Sequence, residues 1–204
     1  MKSDFDLNQQ NENTESRIAA ALERIANAFK VLLWNESKEL ELTPIQVQIL
    51  IFLLYHHESL CTVSSLAAEF GMTKATVSEV VKTLERKKLI EKEQDESDTR
   101  SFILRLTHEG KSTAKQAALF SSALHSPIKA INRQEKEIML NGLLHIIYHL
   151  HSEGIITVQR MCYNCRFYES KEKGSKHYCR LLKKHLSVSA LRLDCPEFEP
   201  AETA

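Results

Sequence analysis

Four cysteines gather near the C-terminus. Cys162 and Cys165 form a C-x2-C pair, Cys179 follows after 13 residues and Cys195 after 15 more. Clustered thiols in a reducing compartment are more often metal ligands than disulfide partners. Four thiolates complete a tetrahedral zinc site or hold an iron–sulfur cluster. Zinc ribbons pair two C-x2-C knuckles, whereas here the third and fourth cysteines stand alone. Aromatic residues flank every ligand: Tyr163, Phe167 and Tyr168, then Tyr178, then Phe198. Such residues shield a cluster from water. A segment of about forty residues builds little core, so a bound metal would supply much of its folding energy.

Other metal-ligating residue types are less organised. His177, two residues before Cys179, reads as an exposed histidine on a basic loop, with a supplementary ligand role as the alternative. His145 and His149 stand i, i+4 on one helix with His151 nearby, but without acidic or cysteine partners packing or solvent exposure is the default. Cys61 reads as a small buried residue. There is no phosphate-binding P-loop, no G-x-S-x-G and no H-E-x-x-H, so an enzyme is not expected.

A second group of residues suits nucleic acid. Thr73, Lys74, Thr76, Ser78 and Lys82 share the outward side of a helix whose inner side carries Val77, Val80, Val81 and Leu84. Small hydroxyls and lysines can approach base edges and phosphates. Arg86, Lys87, Lys88 and Lys92 extend the positive charge. Glu79 is awkward there, unless it pairs with Lys82 or accepts from a cytosine amino group. The formal net charge of zero does not exclude a nucleic-acid partner, because phosphate binding needs only a local basic surface.

The elements that must carry these residues are mostly helices. With five glycines and four prolines in 204 residues, turns are scarce. Residues 1–13 read as a flexible arm. An amphipathic helix of about five turns starts at Thr14. Thr43-Pro44 opens an apolar helix through His56. A short helix runs from Thr62 to Phe70 and stops at Gly71. Thr73 then caps the basic helix. Leu89–Gln94 and Ser101–Leu106 read as a β-hairpin around the charged tip 95–100. Thr107 opens a helix through about Ala130, bent near Pro127. Asn132 starts a last long helix through about Ser152, ended by Gly154. A boundary near 155–160 separates a domain over 14–154 from a cysteine-rich module over 155–204. The fold class is mainly α: a winged helix-turn-helix with long flanking helices and a small four-cysteine module. The first residues lack an apolar leader, and the longest apolar run, Ile49–Tyr55, is too short to span a bilayer. A cytoplasmic protein with no membrane partner is expected.

Thr73-Lys74-Ala75-Thr76-Val77-Ser78, followed by Leu84-Glu85-Arg86-Lys87-Lys88-Leu89-Ile90, resembles the recognition helix of the MarR family. Asp95-x-x-Asp98-x-Arg100, then Leu106-Thr107-x-Glu109-Gly110, is similar to that family's wing and the helix after it. The resemblance covers residues 15–153. It implies a homodimer, with the first helix and the last two as its long dimerisation helices, that regulates transcription by reading a palindromic operator in double-stranded DNA. It also implies that Arg100 enters the minor groove with Asp98 orienting it, and that a small-molecule effector acts near the dimer interface.

The cysteine segment, with its C-x2-C pair, single Cys and final Cys195-Pro196 near Phe198, is similar to small high-potential-type [4Fe–4S] modules. A [4Fe–4S] cluster is placed ahead of Zn2+ as the group held by Cys162, Cys165, Cys179 and Cys195. Joined to a winged helix, it suggests regulation by redox or metal state. The alternatives are a ligand-responsive regulator with a purely structural zinc tail, and an iron–sulfur accessory protein that does not bind DNA.

Overall fold

The computed structural model describes residues 3–94, 101–170 and 177–201. The N-terminal stretch differs from the expected arm. Leu7–Glu12 form a short helix, α1, turned against the start of α2 (Thr14–Glu39). Arg17 donates from Nε to Gln10 O at 2.7 Å and from Nη2 to Asn11 O at 2.6 Å, and Ser16 Oγ donates to Asp4 Oδ1 at 2.7 Å. The last carbonyls of a helix lack partners within it, and Arg17 satisfies two of them. Apolar periodicity does not register a segment held this way. α2 starts where expected, with Asn13 accepting from Ser16 N, but runs for 26 residues, well past five turns.

α3 (Pro44–Tyr55) occupies the centre of the domain. Thr43 and Gln46 form a full capping box, and Pro44 takes the first turn, where its missing N–H is not needed. Val47, Ile49 and Leu50 have no solvent exposure. α4 (Val63–Glu69) starts at the Thr62 cap, and Gly71 ends it at φ +60°. α5 (Lys74–Arg86) follows at once. It buries Val77, Val81 and Leu84 against Leu66 of α4 and Ile49 of α3, while Val80 is half-buried. Each such side chain contributes about 1.5–3 kcal/mol by leaving water.

Lys88, at φ +59°, swings the chain from α5 into β1 (Ile90–Gln94), which pairs antiparallel with β2 (Phe102–Leu106). Ile90 faces Leu106 and Lys92 faces Leu104 across the ladder. Leu104 N also donates to Cys61 O at 2.8 Å, which ties the hairpin to the segment before α4. The tip, residues 95–100, lies outside the described residues, and so does the expected minor-groove role of Arg100 with Asp98.

The helix expected from Thr107 to Ala130 is two helices. α6 (His108–Ala117) ends near Ala118. A tight turn over Ser122–Leu124 leads into α7 (His125–Ala130). The break therefore precedes Pro127, which sits in the first turn of α7 and is tolerated there. The serine pair Ser121-Ser122, poor in helix interiors, marks the true interruption. α8 (Arg133–Ser152) begins at Asn132, whose side chain accepts from Glu135 N, and ends at Gly154 with φ +72°.

Beyond Gly154 the tail builds its own antiparallel sheet, in the order β3 (Tyr168–Ser170), β4 (His177–Cys179), β5 (Lys184–Leu186). Leu144 of α8 packs with Met161 and Leu191 of the tail, all three buried. The tail thus shares a core with α8. No helix among the described residues is long and apolar enough to cross a membrane.

Candidate nucleic-acid interface and thiol cavity

The outward side of α5 is organised by its own cap. Thr73 Oγ1 accepts from Thr76 N at 3.1 Å, and the two hydroxyls share a hydrogen bond of 2.8 Å. Thr73, Lys74, Thr76 and Lys82 are exposed and Ser78 is half-exposed. Ser78 and Lys82 line a groove of about 380 Å³ together with Ser64 at the start of α4, Lys92 on β1 and Phe102 on β2. The five described residues predicted to read DNA therefore lie on α5 and its N-cap, and two of them, Ser78 and Lys82, face the hairpin.

Much of the positive charge is engaged within the fold. Lys82 Nζ lies 2.6 Å from Glu79 Oε1, and this ammonium holds the Glu79 carboxyl below its usual range. The awkward carboxylate is thus the internal partner of Lys82. Lys92 pairs with Glu85 at 2.8 Å, and Arg86 Nη2 donates to Thr83 Oγ1 at 3.0 Å. Lys87 has a structural task that the sequence does not announce: its Nζ donates to the carbonyl of Glu41, a residue at φ +52°.

The thiols are brought together from separate parts of the tail. Cys162 opens a tight turn that Cys165 N closes on Cys162 O at 3.0 Å. Cys179 ends β4 opposite Tyr168. Cys195 N donates to Arg160 O at 3.0 Å. All four line one cavity, with Phe167, Leu181, Leu182 and Leu186 among its walls. They are unpaired and half-buried. Burial pushes the Cys162 thiol up, Arg192 N–H draws it down, and the other three thiols add to the rise. Arg192 reaches two of the four: its N lies 3.2 Å from Cys162 Sγ and its Nη1 3.4 Å from Cys195 Sγ. Among the described residues no three of His, Cys, Asp and Glu are arranged to hold a single metal ion.

The histidines behave differently from expectation in one case. His177 is not exposed. It is buried on β4 and shares a 2.7 Å hydrogen bond between Nδ1 and Tyr168 Oη. Burial, then His145, holds its pKa below the ordinary value, and the same burial pushes the Tyr168 phenol up to about 12. His145 Nδ1 donates to Asn141 O at 2.8 Å, and the ring packs beside Tyr163. Cys61 is buried as expected, its thiol pushed up to about 11 chiefly by burial.

Sequence reasoning missed a polar cluster between the tail and the helical domain. His56, Asp194, Arg160 and Glu69 meet there. His56 Nε2 lies 2.9 Å from Asp194 Oδ2, and that bond raises the imidazole pKa. The residues are up to 138 positions apart, and no local pattern marks them.

A capped helix, a tight turn at a left-handed glycine, an exposed second helix and an adjoining hairpin define a winged helix-turn-helix protein. Residues 40–101 match the MarR family. Among solved structures, the chain is similar to Staphylococcus aureus MepR in complex with DNA, with 26% identity, TM-score 0.56, and coverage of 68% of this chain and 100% of that one. It is similar to S. aureus MepR in a DNA-binding conformation, with 25% identity, TM-score 0.57, and coverage of 65% and 98%. A further MepR structure, described as a transcription regulator of the S. aureus multidrug efflux pump MepA, shares the fold at 23% identity and TM-score 0.52, covering 65% of this chain and 97% of that one. No curated protein matches in sequence. Over residues 40–101 the winged-helix domain is similar to the MarR family. About a third of the chain lies outside the span shared with the MepR–DNA structure.

Proposed function

We propose that this protein is a homodimeric, sequence-specific regulator of transcription that reads a palindromic site in double-stranded DNA through α5. The observation that carries the reading is the solvent-facing row Thr73, Lys74, Thr76, Ser78 and Lys82 beside the β1–β2 hairpin. A helix of this width enters the major groove, where hydroxyls and lysines meet base edges and phosphates. Dimerisation is supported by large apolar side chains left in solvent. Ile18, Ile25 and Trp34 on α2 and Ile138 on α8 are each about half exposed or more. Selection from a random duplex library at fixed salt, followed by titration of the selected site, tests the proposal. Sequence-selective binding that Thr76→Ala and Ser78→Ala weaken is the expected result. Binding that is absent, or indifferent to sequence, overturns it.

The tail adds a second layer. The four thiols would hold a [4Fe–4S] cluster whose loss or oxidation lowers the share of DNA-competent dimers. One observation supports a bound group: the four thiols line a single apolar-walled cavity, a donor set that suits a cluster or a zinc ion. When bound, a cluster would add folding energy and a state sensitive to oxygen and iron. Visible absorption with iron, sulfide and zinc analysis of protein purified without oxygen decides between them. Iron and sulfide support the cluster; one zinc per chain makes the tail structural.

A further inference from the structure

The tail reaches the reading head through Arg160. Its Nη1 lies 3.0 Å from Glu69 Oε2, and its Nε lies 2.9 Å from Asp194 Oδ1. Glu69 is the last residue of α4, and Asp194 adjoins Cys195. The backbone strengthens this connection, because Cys195 N donates to Arg160 O at 3.0 Å. Any shift of Cys195 is therefore felt at both the main chain and the side chain of Arg160.

Underneath lies a stack of rings that ends at the turn before α5. The Arg160 guanidinium lies 5.7 Å over the Phe52 ring, and His56 stacks on Phe52 at 3.8 Å. Phe52 meets Phe70 edge-on at 6.1 Å. Phe70 is the C-cap of α4, and Gly71 and Met72 lead directly to the Thr73 cap. A parallel strap runs beside it, with Thr157 Oγ1 donating to Ala68 O at 3.0 Å.

We propose that Arg160 is the positioning residue through which the thiol cavity sets the end of α4, and with it the angle of the recognition helix. The Arg160 side chain is only 13% exposed. A guanidinium keeps its charge at any physiological pH, so withdrawing one carboxylate leaves that charge short of partners. Loss of either carboxylate is therefore costly, which couples Asp194 to Glu69 through Arg160. α4 spans only seven residues and relies on its two ends, Thr62 at one and Arg160 at the other. The proposal rests on the metal-holding reading of the cavity only for what moves Cys195. The contact itself needs no metal.

The test uses full-length Arg160→Gln, Glu69→Gln, Cys195→Ser and the double variant Arg160→Gln/Cys195→Ser. Hydrogen exchange at residues 66–72 and operator affinity are the readouts. Each single variant is expected to speed exchange there by about tenfold and to weaken operator binding severalfold. Arg160→Gln and Glu69→Gln should leave iron and zinc content unchanged, and the double variant should be no worse than Cys195→Ser alone. Unchanged exchange in Arg160→Gln, or multiplying effects in the double variant, overturns the proposal. If Arg160→Gln does not fold, Glu69→Gln breaks the same contact from the helical domain, and unchanged exchange there overturns the proposal equally. Failure of the metal reading appears separately, as wild-type protein without iron or zinc, and leaves the Arg160–Glu69 comparison standing.

Discussion

Gly110 lies against the carbonyl of Leu89, so close that a Cβ on Gly110 would stand 1.8 Å from Leu89 O. The same carbonyl accepts from Thr107 N at 3.1 Å, while Thr107 Oγ1 donates to Lys88 O at 2.8 Å. The end of α5, the start of the hairpin and the first turn of α6 meet at this point. Leu106-Thr107-x-Glu109-Gly110 is thus a packing motif: Thr107 caps α6, and Gly110 admits the Leu89 backbone. Gly110→Ala should destabilise the protein by about 2–3 kcal/mol, because the obstacle is main chain that cannot swing aside. That corresponds to roughly 5–10 °C in Tm. Gly142 on α8 is the control, since a Cβ there meets nothing within 4 Å. Gly142→Ala should stabilise by about 0.5–1 kcal/mol. Thermal unfolding of both variants checks the pair, and equal Tm values would contradict it.

The Glu79–Lys82 pair bears on DNA binding. In the free protein Lys82 is occupied by a carboxylate on its own helix. Glu79→Gln releases the ammonium and removes a negative charge from the surface offered to phosphate. Affinity should rise on all duplex sequences, with the slope of log K against log salt steepening by about 0.9 for each phosphate gained. Titration at several salt concentrations measures this. A slope unchanged from wild type would show that Lys82 does not meet the backbone.

Cys61 and the tail thiols should react differently. With its pKa at about 11, Cys61 carries little thiolate at pH 8, and it is 3% exposed. In metal-free protein iodoacetamide should modify the half-buried tail thiols first, with Cys162 the slowest of the four because burial pushes its thiol up, while Cys61 stays unmodified until the chain unfolds. A group whose folded pKa is raised as an acid favours the protonated state in the fold. Cys61 therefore begins to oppose folding as pH rises above about 9, where the unfolded thiol ionises first. Peptide mapping by mass spectrometry reads the pattern. Early labelling of Cys61 would mean that the segment before α4 opens readily.

What could be read from the sequence was local. The caps at Thr43, Thr62, Thr73, Thr107 and Asn132 depend on hydrogen bonds spanning three residues, and each stands where its residue type and spacing place it. The inner row of α5 was equally legible, because helical period alone separates Val77, Val81 and Leu84 from Lys74 and Lys82. Contacts between distant segments left no such trace. Arg160 and Glu69 are 91 positions apart, and nothing around either residue announces the other. α1 depends on Arg17 reaching back to two carbonyls, a long-side-chain contact that propensity does not encode. His177 was misread because charge in the neighbouring sequence suggested a loop. Strand alternation instead puts it opposite Ser170 and Leu186, inside the small sheet.

The shared core between α8 and the tail provides a last prediction. Leu144 is 1% exposed and packs with Met161, also 1% exposed, and Leu191. Met161 directly precedes Cys162, so this contact sets where the first thiol stands relative to the helical domain. Leu144→Ala should cost about 2–5 kcal/mol through lost burial and the cavity left behind. The loss should concentrate in the tail, since α3, α4 and α5 keep a separate core around Ile49 and Leu66. Limited proteolysis should therefore cut the variant between residues 155 and 201 while a helical fragment over 14–154 survives. Hydrogen exchange should rise first at residues 161–168. Uniform loosening of the whole chain, with the tail no more sensitive than α3, would show that the tail and the winged helix unfold as one cooperative unit.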